Sequence, residues 1–257
     1  MSQPIDYVLL HGGVQGGWVW DETVAALRRQ APKEVGRTLA LDIPGCGAKR
    51  GRATDALGLD EIAAELVADI ERANLAPPVL VGHSQAGTVL PRLLELRPDL
   101  FRQVIYISCI APLAGQTVAN YRDSELPAQA PAPPRPAPQP SAETLRDMVR
   151  PMFCSDMSPE QADAFLARLG ADAWPPRSYT AADWRYDHLT ATPASYFVCL
   201  RDAVVPASWQ EIFAERLKAS RLVRLDSGHQ VMNTRPHTLA EALRREAEVI
   251  DAYTQAP

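Results

Sequence analysis

Short apolar runs alternate with segments of helical period along most of this chain. Residues 7–10, 38–43, 79–81, 104–110, 196–200 and 221–225 read as strands, several of them apolar at nearly every position. A strand buried on both faces shows that unbroken pattern instead of an in–out alternation. Residues 18–29, 60–73 and 238–252 read as helices. The second is the plainest: Ile62, Leu66 and Ile70 recur every four residues, with Glu61, Glu65, Asp69 and Glu71 at other positions. Strands alternating with helices predict an α/β fold, a mostly parallel central sheet with helices on both faces.

Residues 111–192 break this rhythm. The expected organisation is a core of residues 1–110 and 193–257, with 111–192 inserted as a helical lid over the carboxyl ends of the strands. Residues 127–140 hold seven prolines and almost no large apolar side chain. They can neither join a sheet interior nor run as a helix, so an extended surface segment is expected. Residues 142–149 and 159–169 are again helix-like. Ser158-Pro159-Glu160-Gln161 carries the signals of a helix start: serine at the cap, proline first and glutamine third.

The chemistry concentrates at Gly82-His83-Ser84-Gln85-Ala86-Gly87, directly after the strand at 79–81. A serine on a sharp strand-to-helix turn projects its hydroxyl above the end of a sheet, within reach of a base and a substrate carbonyl. Ser84 is the candidate nucleophile. It needs a base, an acid that orients the base, and donors for the developing oxyanion. The base candidate is His229, in the loop after the last strand, where Gly228 is expected to let the backbone turn tightly. His11, His83, His188 and His237 sit in less suitable places. The acid candidate is Asp202, at the end of the run Tyr196 to Leu200; Asp226 and Asp187 are its rivals. The oxyanion donors are expected to be the backbone N–H groups of Gln85 and of Gly13, with Gly12 making room beside it. Ala86 stands where such an elbow usually has glycine. Pro91 is expected to remove one hydrogen bond from the elbow helix and kink it.

Composition narrows the partners. The 257-residue chain is long enough for a full core, and its net charge of −5 argues against nucleic acid and anionic membranes. No apolar run approaches the ~20 residues that cross a bilayer. The N-terminal residues lack the basic and apolar regions of a signal peptide. Cys46, Cys109, Cys154 and Cys199 are scattered, with neither redox nor metal-ligand spacing. A cytoplasmic setting is expected, with no metal and no cofactor, and a homodimer is left open.

From VLLHGGVQGGWVWD through ALDIPGCG and LVGHSQAG to YFVCLRDAVVP and LDSGHQVMNTRP, the chain resembles the α/β-hydrolase superfamily. It is most similar to the branch of plant methylesterases, hydroxynitrile lyases and bacterial esterases. The resemblance implies a serine hydrolase acting on a carboxylic ester or lactone, a small to medium apolar one such as a methyl or aryl ester. A natural-product lactonase, thioesterase or cyclase is the alternative, and a ligand receptor on the same scaffold a further one. The lyases of this branch carry threonine after the oxyanion-loop histidine and lysine after the catalytic one. Here those positions are Gly12 and Gln230, and an uncharged Gln230 cannot stabilise a leaving cyanide. Gly12, Trp18, His83, Trp184 and Gln230 are the candidate pocket residues. Met148, Met152, Phe153, Phe165, Trp174 and Trp20 are further candidates for an apolar wall.

Overall fold

The structure, a computed structural model, describes residues 3–123, 142–170 and 172–254. The proline-rich stretch 127–140 lies outside the described residues. Strand β1 (Ile5–Leu10) leads through a 3-10 turn (Gly17–Trp20) into α1 (Asp21–Gln30), then β2 (Val35–Leu41) and α2 (Leu59–Ala73). Strand β3 (Val79–His83) runs into a second 3-10 turn (Ser84–Thr88), α3 (Leu90–Leu96) and β4 (Gln103–Ile107). After β4 come α4 (Ala142–Phe153) and α5 (Pro159–Arg168). The chain re-enters the sheet as β5 (Ala194–Cys199), followed by α6 (Ala207–Arg216), β6 (Arg221–Leu225), α7 (Val231–Thr234) and α8 (Pro236–Thr254).

The six strands lie in the order β2-β1-β3-β4-β5-β6, and every pairing is parallel. Successive residues along each strand point alternately to the two faces of the sheet. Val8, Leu10, Leu80, Val104, Tyr106, Tyr196 and Val198 face one core, with α2, α3 and α6 packed over them. Tyr7, Leu9, Val79, Val81, Ile105, Ile107 and Phe197 face the other, under α1 and α8. The four-residue repeat of α2 is what seats it: Ile62, Leu66 and Ile70 are all buried. Each such side chain stabilises by about 1.5–3 kcal/mol.

Three local expectations need correction. The helix expected from residue 18 begins only at Asp21, because Gly17–Trp20 forms a tighter turn. The strand expected at 38–43 is β2, which starts at Val35 because Val35 pairs with Ile5. It ends before Ile43, whose N–H donates to Nε2 of His11 instead of to a strand. Pro91 does not break the elbow helix. The elbow itself is a 3-10 turn, and Pro91 falls in the first turn of α3, where a missing N–H costs little. The cap expected at Ser158 forms in full: its hydroxyl accepts from Gln161 N–H while the Gln161 side chain accepts from Ser158 N–H.

The chain passes from β1 outward to β2, then crosses back to β3 on the other side of β1. The loops after β1 and β3 therefore diverge at the carboxyl edge of the sheet. Open α/β sheets bind ligands at such a crevice. The loop after β1 carries His11, Gly12 and Gly13; the one after β3 carries Ser84.

Candidate active site

Ser84 follows β3 directly and is held at φ +54°, in the left-handed region. A residue with a side chain occupies that region at a cost of about 1–3 kcal/mol, so the surroundings must impose it. The Ser84 carbonyl accepts from Ile110 N–H at 3.1 Å, which ties the elbow to the end of β4. In the planar peptide the following N–H, that of Gln85, points the opposite way. The methyl of Ala86 is fully buried and lies over Gly82, so the departure from glycine there is absorbed by packing.

His229 lies in the loop between β6 and α7, 145 residues from Ser84. Its Nε2 is 3.0 Å from the serine Oγ and accepts the hydroxyl proton; its Nδ1–H donates to Asp202 Oδ2 at 2.7 Å. Asp202 follows β5. Its other oxygen accepts from the N–H groups of Val204 and Val205, at 2.7 and 2.8 Å. The carboxylate is thereby held in one orientation. Of the rival acids, Asp226 turns outward to Arg201 at 2.7 Å and is exposed, and Asp187 opens the 3-10 segment Asp187–Ala191.

Ser108 was not among the sequence candidates. It sits inside the run 104–110 that reads as a strand, but β4 ends at Ile107 and Ser108 lies just past it. In the structure it is fully buried, at φ +45°, and its hydroxyl donates to Asp202 Oδ2 at 2.6 Å. The same oxygen thus receives two hydrogen bonds, from Ser108 and from His229. A second serine held in the left-handed region beside the first is the signal that could have found it, and that signal is tertiary.

The loop after β1 is fixed through the carbonyl of Gly12. It accepts from His11 Nδ1–H at 2.8 Å and from Trp174 Nε1–H at 3.0 Å. The Gly13 N–H, in the same peptide plane, is directed away from both. Gly12 itself touches the nucleophile: a Cβ there would lie 2.9 Å from Ser84 Cβ and 3.1 Å from His83 Nδ1. The Gln85 side chain folds over Gly13, where a Cβ would come 2.4 Å from Oε1.

The remaining pocket candidates fall in different places. His83 is fully buried, and its Nε2–H donates to the His229 carbonyl at 2.9 Å; the two rings are 4.5 Å apart. It holds the histidine loop and offers no surface to a ligand. Trp18 packs on Phe165 and under the Arg168 guanidinium, and donates from Nε1 to Asp172. It lines a cleft of about 680 Å³ with Asp42, Arg50 and Arg146. Trp184 is buried, with Nε1–H donating to the Gln116 carbonyl, and Trp20 is fully buried in the core. Gln230 is fully buried, and neither atom of its amide has a hydrogen-bond partner among the described residues. Phe153, at the end of α4, brings its ring within 5.3 Å of the His229 imidazole.

Asp172 ties three distant segments together. Its buried carboxylate takes two hydrogen bonds from Arg50, one from Gly47 N–H and one from Trp18. Burial alone would raise its pKa, but Arg50 and the other donors hold it below the usual carboxylate value. Among the described residues no group of three or more His, Cys, Asp or Glu side chains is placed to hold a metal ion. None of the described helices is long and apolar enough to cross a membrane.

Two buried histidines make a prediction about pH. Burial pushes both His11 and His83 below their ordinary 6.5, His83 the further, with like charge from His229 adding to it. The folded protein keeps both neutral, while the unfolded chain takes up protons below pH 6.5. Stability is therefore full well above pH 6.5 and is lost as pH falls, by up to about 1.4 kcal/mol per pH unit for each histidine. Urea midpoints measured at pH 7.5, 6.5 and 5.5 should drop a little across the upper interval and more steeply across the lower one, and His83→Gln should shallow the drop. A midpoint level down to pH 5.5 would contradict the assignment.

Comparison with known proteins gives a consistent picture. The model of a family described as "Alpha/beta hydrolase family" matches residues 7–242. The "Carbendazim hydrolyzing esterase" of Nocardioides sp. (strain SG-4G) is 25% identical, over 93% of this chain and 98% of its own. The "Probable esterase PIR7A" of Oryza sativa subsp. indica is 34% identical over 43% of this chain and 41% of its own length. Among solved structures, an Arabidopsis methylesterase superposes with a TM-score of 0.71 at 20% identity, covering 95% of this chain and 99% of that one.

Proposed function

The chain belongs to the alpha/beta hydrolase family and is a carboxylic ester hydrolase; from that premise we propose that Ser84, His229 and Asp202 cleave a small to medium apolar ester, methyl or aryl, through an acyl-enzyme. The observation that carries this reading is His229, which bridges the strained Ser84 at 3.0 Å and Asp202 at 2.7 Å. His229 Nε2 takes the Ser84 proton as Oγ attacks the ester carbonyl. Asp202 keeps the other ring proton on Nδ1 and stabilises the charged imidazole. The oxyanion forms between the N–H groups of Gln85 and Gly13. His229 then protonates the leaving alcohol, the C–O bond breaks, and water repeats the sequence to release the acid. No step calls on a metal or an organic cofactor.

The described residues between 111 and 192 serve as the lid. This is supported by Phe153 at the imidazole and Trp174 at the oxyanion loop. The aromatic surroundings, with Phe165 behind Phe153, favour an apolar substrate. Lyase chemistry finds no such support: a threonine at position 12 would press on Ser84 Cβ, and Gln230 carries no charge. Four free, buried cysteines favour a cytoplasmic setting.

A fluorophosphonate probe, with the modified peptide located by mass spectrometry, tests the nucleophile. An ester, lactone and thioester panel then tests the substrate class. Label on Ser84 and turnover of aryl or methyl esters are expected. A folded protein that takes no label, or takes it elsewhere, would sink the proposal.

A further inference from the structure

His229 must keep its ring within hydrogen-bond reach of two partners at once. Displacing a catalytic group by about 1 Å can cost ~10²-fold in rate. The ring is steadied by Asp202, and the carbonyl of His229 by His83. On the other side, the backbone one residue before His229 is gripped from outside the core. Asp156, in the turn between α4 and α5, accepts the Gly228 N–H on Oδ2 at 2.8 Å.

This contact also explains the glycine. Gly228 is not among the residues with positive φ, so the tight turn expected there is not why a side chain is missing. A Cβ at 228 would lie 2.5 Å from Asp156 Oδ1, 2.8 Å from its Cγ and 3.0 Å from Ser155 Oγ. Only a residue without a side chain lets the carboxylate come this close. The same corner of the chain sets the Phe153 ring against the imidazole. The backbone is thus pinned on both sides of His229, and one of the two pins belongs to the segment between β4 and β5.

We propose that Asp156 is a positioning residue for His229, acting through the Gly228 amide, so that the base is held ready only while the α4–α5 corner is seated. The proposal rests on the reading of Ser84 and His229 given above. A carboxylate accepting from a backbone N–H is a strong, directional contact, and here it ends one residue from the base. An asparagine at 156 keeps an acceptor oxygen; an alanine does not.

The test uses the full-length enzyme and two readouts, the rate at which a small alkyl fluorophosphonate labels Ser84 and the kcat and KM for an aryl ester. The small probe needs an active base but little of the substrate pocket. Asp156→Ala is expected to slow labelling and lower kcat by about 10–100-fold, with KM changed by less than about threefold. Asp156→Asn should stay within about threefold of the wild type on both readouts, since its amide oxygen still accepts. Gly228→Ala, which pushes the carboxylate off without removing it, is the second variant should Asp156→Ala fail to fold. It should slow labelling in the same way. If folded Asp156→Ala or Gly228→Ala labels at the wild-type rate and only KM rises, Asp156 merely anchors the lid and the proposal is overturned. Failure of the wild type to label would instead overturn the serine-hydrolase reading.

Discussion

Alanine at position 84 is expected to leave a folded protein that turns over an activated aryl ester about 10⁵–10⁶-fold more slowly than the wild type. The loss is this large because, in the proposed mechanism, the Ser84 hydroxyl is the group that bonds to the substrate. Ser108 is the nearest alternative by chemistry, but it is fully buried and its proton is committed to Asp202. Stability separates chemistry from folding. Alanine at 84 keeps the left-handed backbone at φ +54° and should unfold at nearly the wild-type urea midpoint. Glycine at 84 should be equally inactive yet more stable by about 1 kcal/mol, because it adopts that region without a Cβ clash. Turnover of Ser84→Ala within a hundredfold of the wild type would remove Ser84 from its role.

Asp202→Asn should lower kcat by about 10⁴-fold near neutral pH while leaving the fold intact. The reason lies in the two oxygens of Asp202. Oδ1 receives the N–H groups of Val204 and Val205, so only an oxygen can sit there. In asparagine the amide oxygen must take that place, and the NH₂ group then faces Nδ1 of His229 and the Ser108 hydroxyl. An NH₂ donating to Nδ1 forces the ring proton onto Nε2, which faces Ser84. The imidazole is then the wrong tautomer to accept from the serine. Steady-state kcat on an aryl ester and the fluorophosphonate labelling rate should fall together, with the thermal midpoint nearly unchanged. A kcat within tenfold of the wild type would mean that the carboxylate does not set the tautomer.

The parallel sheet is legible because its central strands are apolar runs that no surface segment would carry, and because helical segments separate them. The cap at Ser158 was legible because it depends on four adjacent residues. The serine, acid and histidine could be picked out in order, since each follows a strand and all strand ends meet at one edge of the sheet. Other features could not be read from neighbours in the chain. Ser108 looks like an interior residue of the strand at 104–110 until the fold brings it to Asp202, 94 residues away. Gly228 looks like a turn glycine until Asp156 arrives against it, 72 residues away. Pro91 looks like a helix breaker because the chain does not announce that the elbow is a separate 3-10 turn. His83 and Trp184 look like pocket residues because aromatic side chains near a nucleophile suggest one. Each instead satisfies a backbone carbonyl in the interior.

The closeness of Asp156 and Gly228 also constrains how this chain can drift as it is copied. While the carboxylate is present, any side chain at 228 meets it. If the carboxylate positions His229 as proposed, loss of either partner first gives a poorly functioning intermediate. The two positions should therefore be kept together, and a lineage with a side chain at 228 should carry no carboxylate at 156.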